Sequence, residues 1–234
     1  MDFLKSFINK SDSNANFKHR VLNSNIYKEP EYEEESIIFG CGCFWGAEKC
    51  FWKLPGVITT SVGYAGGETE NPTYNSVCAG YTGHAEVVKV VWNIEKIDLS
   101  DLLKMFWECH DPTQKDGQGN DIGSQYRSAI YFYSTKNEIM INESKEAYQK
   151  LLRENNFGTI ETEIKQLNKY YFAEKYHQQY LASPGSRQYC SASPTNIKLQ
   201  EFKGSNYKLN KKVWDSFDWS QQKCVLRSDN APIR

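Results

Sequence analysis

The uncharged run Ser36-Ile37-Ile38-Phe39-Gly40-Cys41 reads as a buried strand. Gly42-Cys43-Phe44-Trp45-Gly46 follows directly. Ala47, Cys50, Phe51 and Leu54 then recur at the i, i+3, i+4, i+7 spacing of one helix face, until Pro55-Gly56 ends the pattern. Val57 to Tyr64 predicts a strand with Ile58, Val62 and Tyr64 on one side. A polar loop from Gly66-Gly67 through Asn71-Pro72-Thr73-Tyr74 leads to Gly83. His84 to Trp92 is a β-branched strand on which Glu86 shares a face with Val88, Val90 and Trp92. Ser100 caps a predicted helix through His110, with Leu102, Leu103, Phe106 and Trp107 as its apolar stripe. Beyond the Gly-rich loop from Asp116 to Ser124, Tyr126 to Tyr133 predicts a strand. Lys136 to Glu154 predicts a long amphipathic helix, Ile160 to Leu167 a last strand, and Tyr170 to Leu181 a short helical segment. Periodicity fails from Ser183 onward. Strands and helices mix without strict alternation, so the expected class is α+β: a two-layer α/β sandwich, its mixed sheet flanked by helices, related to the ferredoxin-like folds.

The 234 residues suffice for one sizeable domain plus tails. The expected division is a leader over 1–35, partly disordered or loosely packed, a main domain over 36–182, and a long irregular tail over 183–234. A net charge of -1 gives no electrostatic reason to bind nucleic acid or an anionic membrane. No apolar run approaches the ~20 residues of a membrane span. The first ten residues lack the apolar core of a secretion signal, so a cytoplasmic protein is expected. Lys5, Lys10, Lys18, Arg20 and Lys28 outnumber Asp2, Asp12 and Glu29 in the leader, which leaves a mitochondrial form as the alternative. Seven scattered cysteines, with no Cys-x-x-Cys framework, fit reduced thiols of which one or two do chemistry. A metal site built from Cys41, Cys43 and Cys50 would lack a fourth ligand at familiar spacing, so no metal is expected.

Cys43 falls at a strand-to-helix turn, where free amides and the helix dipole favour a thiolate. The competing reading is a buried structural cysteine. The flanking glycines allow a tight turn and close approach, and Phe44 and Trp45 set an apolar wall beside the sulfur. Glu86, on an apolar strand face, should have a raised pKa and act as a neutral donor to a developing oxyanion. Tyr74 and Tyr126 are phenols beside polar loops, able to hydrogen-bond a substrate oxygen. Asp121, in the Gly-rich loop, is a candidate for substrate amide groups. His84, His110 and His177 are candidates for a Cys–His pair; spacing does not choose among them, and the preferred reading is that they are satisfied structural histidines. Cys190 lies in the irregular tail, free to swing toward another sulfur; Cys224 has the same status. Cys41 and Cys50 read as packing residues, with Cys50 a competing resolver.

Gly42-Cys43-Phe44-Trp45-Gly46, Val62-Gly63-Tyr64-Ala65-Gly66-Gly67, Asn71-Pro72-Thr73-Tyr74, Gly83-His84-Ala85-Glu86, Phe106-Trp107, His110-Asp111-Pro112, Gly119-Asn120-Asp121, Gln125-Tyr126-Arg127-Ser128 and Tyr176-His177-Gln178-Gln179-Tyr180 stand in fixed order. Together they resemble peptide methionine sulfoxide reductase of the A type over roughly residues 36–182. The resemblance implies thiol-dependent reduction of methionine S-sulfoxide, free or in proteins, as repair of oxidised proteins. It implies Cys43 as nucleophile, Phe44 and Trp45 as the cage for the substrate methyl group, and Glu86 as the acid at the sulfoxide oxygen. Tyr74 and Tyr126 would share that oxygen, and Asp121 would hold the substrate's amino nitrogen or backbone. A Cys43 sulfenic acid would be resolved by Cys190 to a disulfide and regenerated by thioredoxin or another dithiol, without metal or organic cofactor, in a monomer. Tyr189-Cys190 is followed by Ser191-Ala192-Ser193-Pro194, stiffer than the Gly-rich stretch often found in the family. Cys224 is a possible second, recycling thiol. Two rivals come from other classes. One is a binding module that cages oxidised methionine without needing Cys43; the other is a thiol-disulfide oxidoreductase, against which the missing Cys-x-x-Cys speaks.

Overall fold

A computed structural model describes residues 17–167, 169–221 and 224–234. The uncharged run becomes β1 (Glu34–Cys41), and the chain turns at Gly42 into α1 (Phe44–Trp52). Gly42 has φ +83, and a Cβ on it would stand 2.6 Å from the Gln118 side chain, so only glycine fits the turn. Next come β2 (Val57–Ala65), the short α2 (Tyr74–Cys78), β3 (Ala85–Asn93) and α3 (Leu99–Glu108). A small hairpin of β4 (Gly117–Gln118) and β5 (Asp121–Ile122) precedes β6 (Ser128–Phe132), α4 (Glu138–Glu154), β7 (Glu163–Gln166) and β8 (Tyr171–Phe172). The tail holds α5 (Lys211–Asp215) and α6 (Cys224–Arg227).

Six strands form one sheet in the order β7-β6-β1-β3-β2-β8; β6 and β7 run parallel and the other neighbours antiparallel. Period-two alternation sorts the side chains. Ile37, Phe39, Val62, Tyr64, Val88, Val90, Trp92, Ile130 and Phe132 join residues of α1, α3 and α4 in the main core. Ile38, Ala65, Ala85, Val87, Ala129 and Tyr131 form a smaller cluster on the opposite face. The result is the expected α+β architecture with a mixed sheet. Ile58 falls off the expected core face because the β2–β3 register shifts between Val57 and Thr59.

Several boundaries differ from the sequence reading. Asp98, not Ser100, caps α3: its carboxylate accepts from Ser100 N–H while its own N–H donates to Asp101. Tyr126 lies in a 3₁₀ turn (Ser124–Tyr126) ahead of β6. The last predicted strand keeps only the four residues Glu163–Gln166, as β7. Tyr170 to Leu181 is not a helix. Gln178 spends its side-chain amide on the Val62 N–H and C=O of β2, and Gln179 sits in the left-handed region at φ 48. Tertiary hydrogen bonds override local helical preference there. Residues 1–16 of the expected leader lie outside the described residues; from residue 17 on, His19 and Ile26 are buried. The tail is irregular but buries Leu199, Val213, Phe217, Trp219 and Val225. Glu108 of α3 pins it, accepting from Leu199 N–H at 2.8 Å and Trp219 Nε1–H at 3.2 Å. The end of the chain folds back on α1, where Trp52 Nε1–H donates to the Asn230 carbonyl. Among the described residues no helix is long and apolar enough to cross a membrane.

Candidate active site

Cys43 stands immediately before the first residue of α1. It retains 9% of its surface, against 2–3% for Cys41, Cys50, Cys109 and Cys190, so among the described residues it is the most accessible of the buried thiols. The expected thiolate is not favoured. Burial pushes the thiol well above its usual range, the nearby Glu86 adds to this, and the Trp45 backbone N–H only partly opposes it. A sulfur walled in by aromatics is desolvated more than the amides at a helix start compensate. Cys43 therefore rests as a neutral thiol.

Glu86 enters from the second residue of β3, opposite Tyr64 of β2. It is buried, and its Oε2 accepts from the Phe44 N–H at 3.1 Å, one residue past the thiol. Burial raises its pKa to about 8, more than the single Phe44 hydrogen bond lowers it, and the charge of Asp121 adds to the rise. Glu86 is thus a neutral acid at pH 7, as the strand pattern predicts. Tyr74 opens α2 and Tyr126 closes the 3₁₀ turn. Both phenols are pushed up, first by burial and then by Glu86, so both stay protonated. Glu174 seats Tyr74: it accepts from the Tyr74 N–H and the Tyr64 hydroxyl. Asp121 lies on the β4–β5 hairpin. Its Oδ1 accepts from the Tyr189 hydroxyl, while its Oδ2 is buried with no partner among the described residues.

An aromatic cage closes the site. Trp45 stacks on Tyr180 at 3.8 Å between ring centroids, and its Nε1–H donates to His177 Nδ1 at 3.1 Å. The His177 ring lies 5.1 Å from Phe44 and 4.5 Å from Tyr74. Burial lowers its pKa to about 4, so it is a neutral member of the cage. None of the three candidate histidines forms a nucleophile–base pair with Cys43. His84 accepts from the Gly67 N–H and contacts the Thr69 carbonyl, which holds the loop before β3. His110 Nδ1 lies 2.7 Å from the Phe106 carbonyl and so carries its proton there.

Sequence reasoning missed a buried support under the cage. Glu48, on α1, accepts from Gln179 N–H at 2.8 Å, Gln179 Nε2–H at 2.7 Å and Thr60 Oγ1–H at 2.9 Å. His19 accepts at Nδ1 from the Val21 and Leu22 amides, so its Nε2–H faces Thr60 Oγ1. Burial lifts Glu48 to about 7, against these hydrogen bonds. The network holds the left-handed Gln179 between His177 and Tyr180, the two residues that grip Trp45. Nothing in the periodicity of the chain marks Glu48 for this role.

Cys190 is buried against α1. A Cβ on Gly46 would lie 2.5 Å from its Sγ, so the glycine makes room for that sulfur. The side chain of Cys224 lies outside the described residues. Cys41, Cys109 and His110 place one donor atom each within 4.8 Å of one another. The proton that His110 Nδ1 gives to Phe106 takes away that nitrogen's lone pair, so the trio is not a ready metal site.

The peptide methionine sulfoxide reductase family matches the chain over residues 35–211. The peptide methionine sulfoxide reductase MsrA of Vibrio cholerae is 51% identical over 179 residues, covering 76% of this chain and 84% of that protein. The mitochondrial peptide methionine sulfoxide reductase of Bos taurus is 54% identical over 181 residues, 77% of each chain. Among solved structures, methionine sulfoxide reductase A of Corynebacterium diphtheriae superposes with a TM-score of 0.70 at 41% identity, covering 80% of this chain and 91% of that one.

Proposed function

The chain belongs to the peptide methionine sulfoxide reductase family, and from that premise we propose that it reduces methionine S-sulfoxide, free or in proteins, with Cys43 as the nucleophile. A sulfoxide sulfur becomes electrophilic only when its oxygen is protonated or strongly hydrogen-bonded. Neutral Glu86, with the Tyr74 and Tyr126 hydroxyls, supplies those donors in a site where water is scarce and each bond is correspondingly stronger. Phe44 and Trp45 hold the S-methyl group, and the free Oδ2 of Asp121 takes a substrate N–H.

Cys43 attacks the sulfur as the oxygen gains a proton. The thiol proton and the sulfoxide oxygen both end on Cys43, as a sulfenic acid, and methionine leaves. No net charge accumulates in the apolar pocket, which suits a thiol held above its usual pKa. Cys190 then condenses with the sulfenic acid, releasing water and forming a disulfide. Thioredoxin or another dithiol restores both thiols, and the sequence balances without a metal or organic cofactor. A reducing compartment such as the cytoplasm fits this cycle.

The observation that carries the reading is the placement of Glu86: a neutral carboxylic acid bonded to the amide next to the thiol, inside an aromatic cage. The test is turnover with separated R and S epimers of a methionine sulfoxide peptide and a thioredoxin system. Consumption of the S epimer alone is expected, abolished in Cys43→Ser. Turnover of R, or activity retained in Cys43→Ser, would overturn the proposal.

A further inference from the structure

The support under the cage begins outside the residues that the family matches. His19 lies in the leader, ahead of residues 35–211, yet its ring reaches β2 and α1. A closed turn presents that ring. The His19 N–H donates to the Ser24 carbonyl, the Asn23 N–H donates to the His19 carbonyl, and Lys18 bridges Asn25. Asn23 supplies the left-handed conformation of the turn, at φ 57. Inside it, His19 Nδ1 accepts from the Val21 N–H at 3.1 Å and from the Leu22 N–H at 3.0 Å. The buried ring packs edge-on against Trp52 of α1, with centroids 5.8 Å apart. Burial lowers its pKa to about 3, so the ring is neutral. A nitrogen that accepts two amides carries no proton, so the ring's single proton sits on Nε2.

That proton gives the whole chain of hydrogen bonds its direction. His19 Nε2–H donates to Thr60 Oγ1 at 2.8 Å. The Thr60 hydroxyl has one proton of its own, and with its oxygen already accepting, that proton goes to Glu48 Oε1 at 2.9 Å. Glu48 also takes both Gln179 donors. Gln179 Oε1 has no partner among the described residues, so its side chain is anchored through its NH₂ group, and chiefly on Glu48 at 2.7 Å. Gln179 is the left-handed residue between His177 and Tyr180, and Trp45 stands three residues before Glu48 on α1. The bonds thus run from the leader through β2 and α1 to both residues that grip Trp45. Without a donor at Thr60 Oγ1, the hydroxyl becomes a rotor with no fixed direction, and Glu48 no longer has a committed third donor.

Resting on the reading of the cage as the site that holds the sulfoxide's methyl group, we propose that His19 is a positioning residue for the substrate. Through Thr60 and Glu48 it sets the orientation of Gln179, and so of the wall made by His177, Trp45 and Tyr180. The leader is then part of the scaffold of the binding site. His19 touches neither the thiol nor the acid at the oxygen, so its influence falls on how well the sulfoxide is held more than on the chemical step.

The test separates the two ring nitrogens. His19→Asn puts an amide oxygen where Nδ1 stood, which keeps the acceptor for Val21 and Leu22 but leaves no donor that reaches Thr60. His19→Gln does the reverse: its NH₂ reaches as far as the imidazole Nε2, and the turn loses its acceptor. A residue that served the turn alone would tolerate Asn better. The positioning role predicts the opposite order in KM for an S-sulfoxide peptide: a rise of about three- to tenfold in His19→Asn, and a value within about twofold of wild type in His19→Gln. KM does not depend on the fraction of active chains, so a partial loss of folded protein leaves the comparison intact. The saturated single-turnover rate should fall by less than KM rises. Thr60→Val, which removes the relaying hydroxyl and leaves the leader untouched, should match His19→Asn. In a Glu48→Ala background His19→Asn should raise KM no further, because both act through one chain of bonds. A wild-type KM in His19→Asn, a His19→Gln no better than His19→Asn, or a full effect of His19→Asn in Glu48→Ala would overturn the proposal. Failure of the underlying reading shows in the wild type itself, as no turnover of the S epimer, and would overturn both.

Discussion

Glu86 Oε2 accepts the backbone N–H of Phe44 at 3.1 Å, which fixes a buried carboxylic acid one residue from Cys43. That amide occupies one oxygen and leaves the other to carry the proton toward a substrate. A glutamine keeps both functions, with its carbonyl toward Phe44 and its NH₂ toward the sulfoxide oxygen. Glu86→Gln should retain the first-turnover rate to within about tenfold, whereas Glu86→Ala should lose roughly 100- to 1000-fold. Quenched-flow measurement of methionine release in a single turnover checks this. A Gln variant as slow as the Ala variant would mean that a proton must be transferred, not merely shared.

The same carboxyl sets a pH dependence. Its pKa is raised to about 8, so the active acid form predominates below that value and is lost as pH rises through it. The single-turnover rate of the wild type should fall above about pH 8, and this limb should be missing in Glu86→Gln. Identical profiles for the two proteins would remove Glu86 from the oxygen's side of the reaction.

Gly46 and Cys190 make a separable prediction. Alanine suits the helical backbone at position 46, but its Cβ would meet Cys190 Sγ at 2.5 Å and displace the sulfur. Misplacement on that scale should slow disulfide formation by roughly 100-fold while the first methionine is still released. Cys190→Ser should likewise permit one turnover and stop thioredoxin-driven cycling. Stopped-flow and thiol counting distinguish the two steps, and a Cys190→Ser steady state equal to wild type would refute the resolving role.

Glu48 should act on binding rather than on chemistry. Glu48→Ala takes away the acceptor of the Gln179 N–H, the Gln179 Nε2–H and the Thr60 hydroxyl proton, a loss of roughly 1–3 kcal/mol per group left unsatisfied. It also loosens the residues that hold Trp45. The KM for a sulfoxide peptide should rise several-fold more than the saturated single-turnover rate falls, and Glu48→Gln, which keeps an acceptor, should recover most of the loss. A fall confined to the saturated rate would place Glu48 elsewhere in the reaction.

How far the site was legible depended on the range of the interactions involved. Glu86 was readable because period-two alternation put it among Val88, Val90 and Trp92, and burial of that face follows from their chemistry. The Cys43 turn was readable because its glycines and the helical spacing after it are local. Its protonation state was misjudged because desolvation comes from walls supplied by distant parts of the chain. His177 could not be told from His84 or His110 by spacing; only the packing of Trp45 against it distinguishes them.

The amino-acid pattern by itself determined which faces of β3 and α1 are buried, and that the chain turns at Gly42-Cys43 between a strand and a helix. Those are consequences of hydrophobic periodicity and backbone sterics within a few residues. Tertiary structure alone decided that Gln178 and Gln179 break an expected helix, that Glu48 supports the cage, and that Cys190 rests over Gly46. Each of these joins residues more than 100 positions apart through buried hydrogen bonds or close packing, and no local periodicity records such pairings.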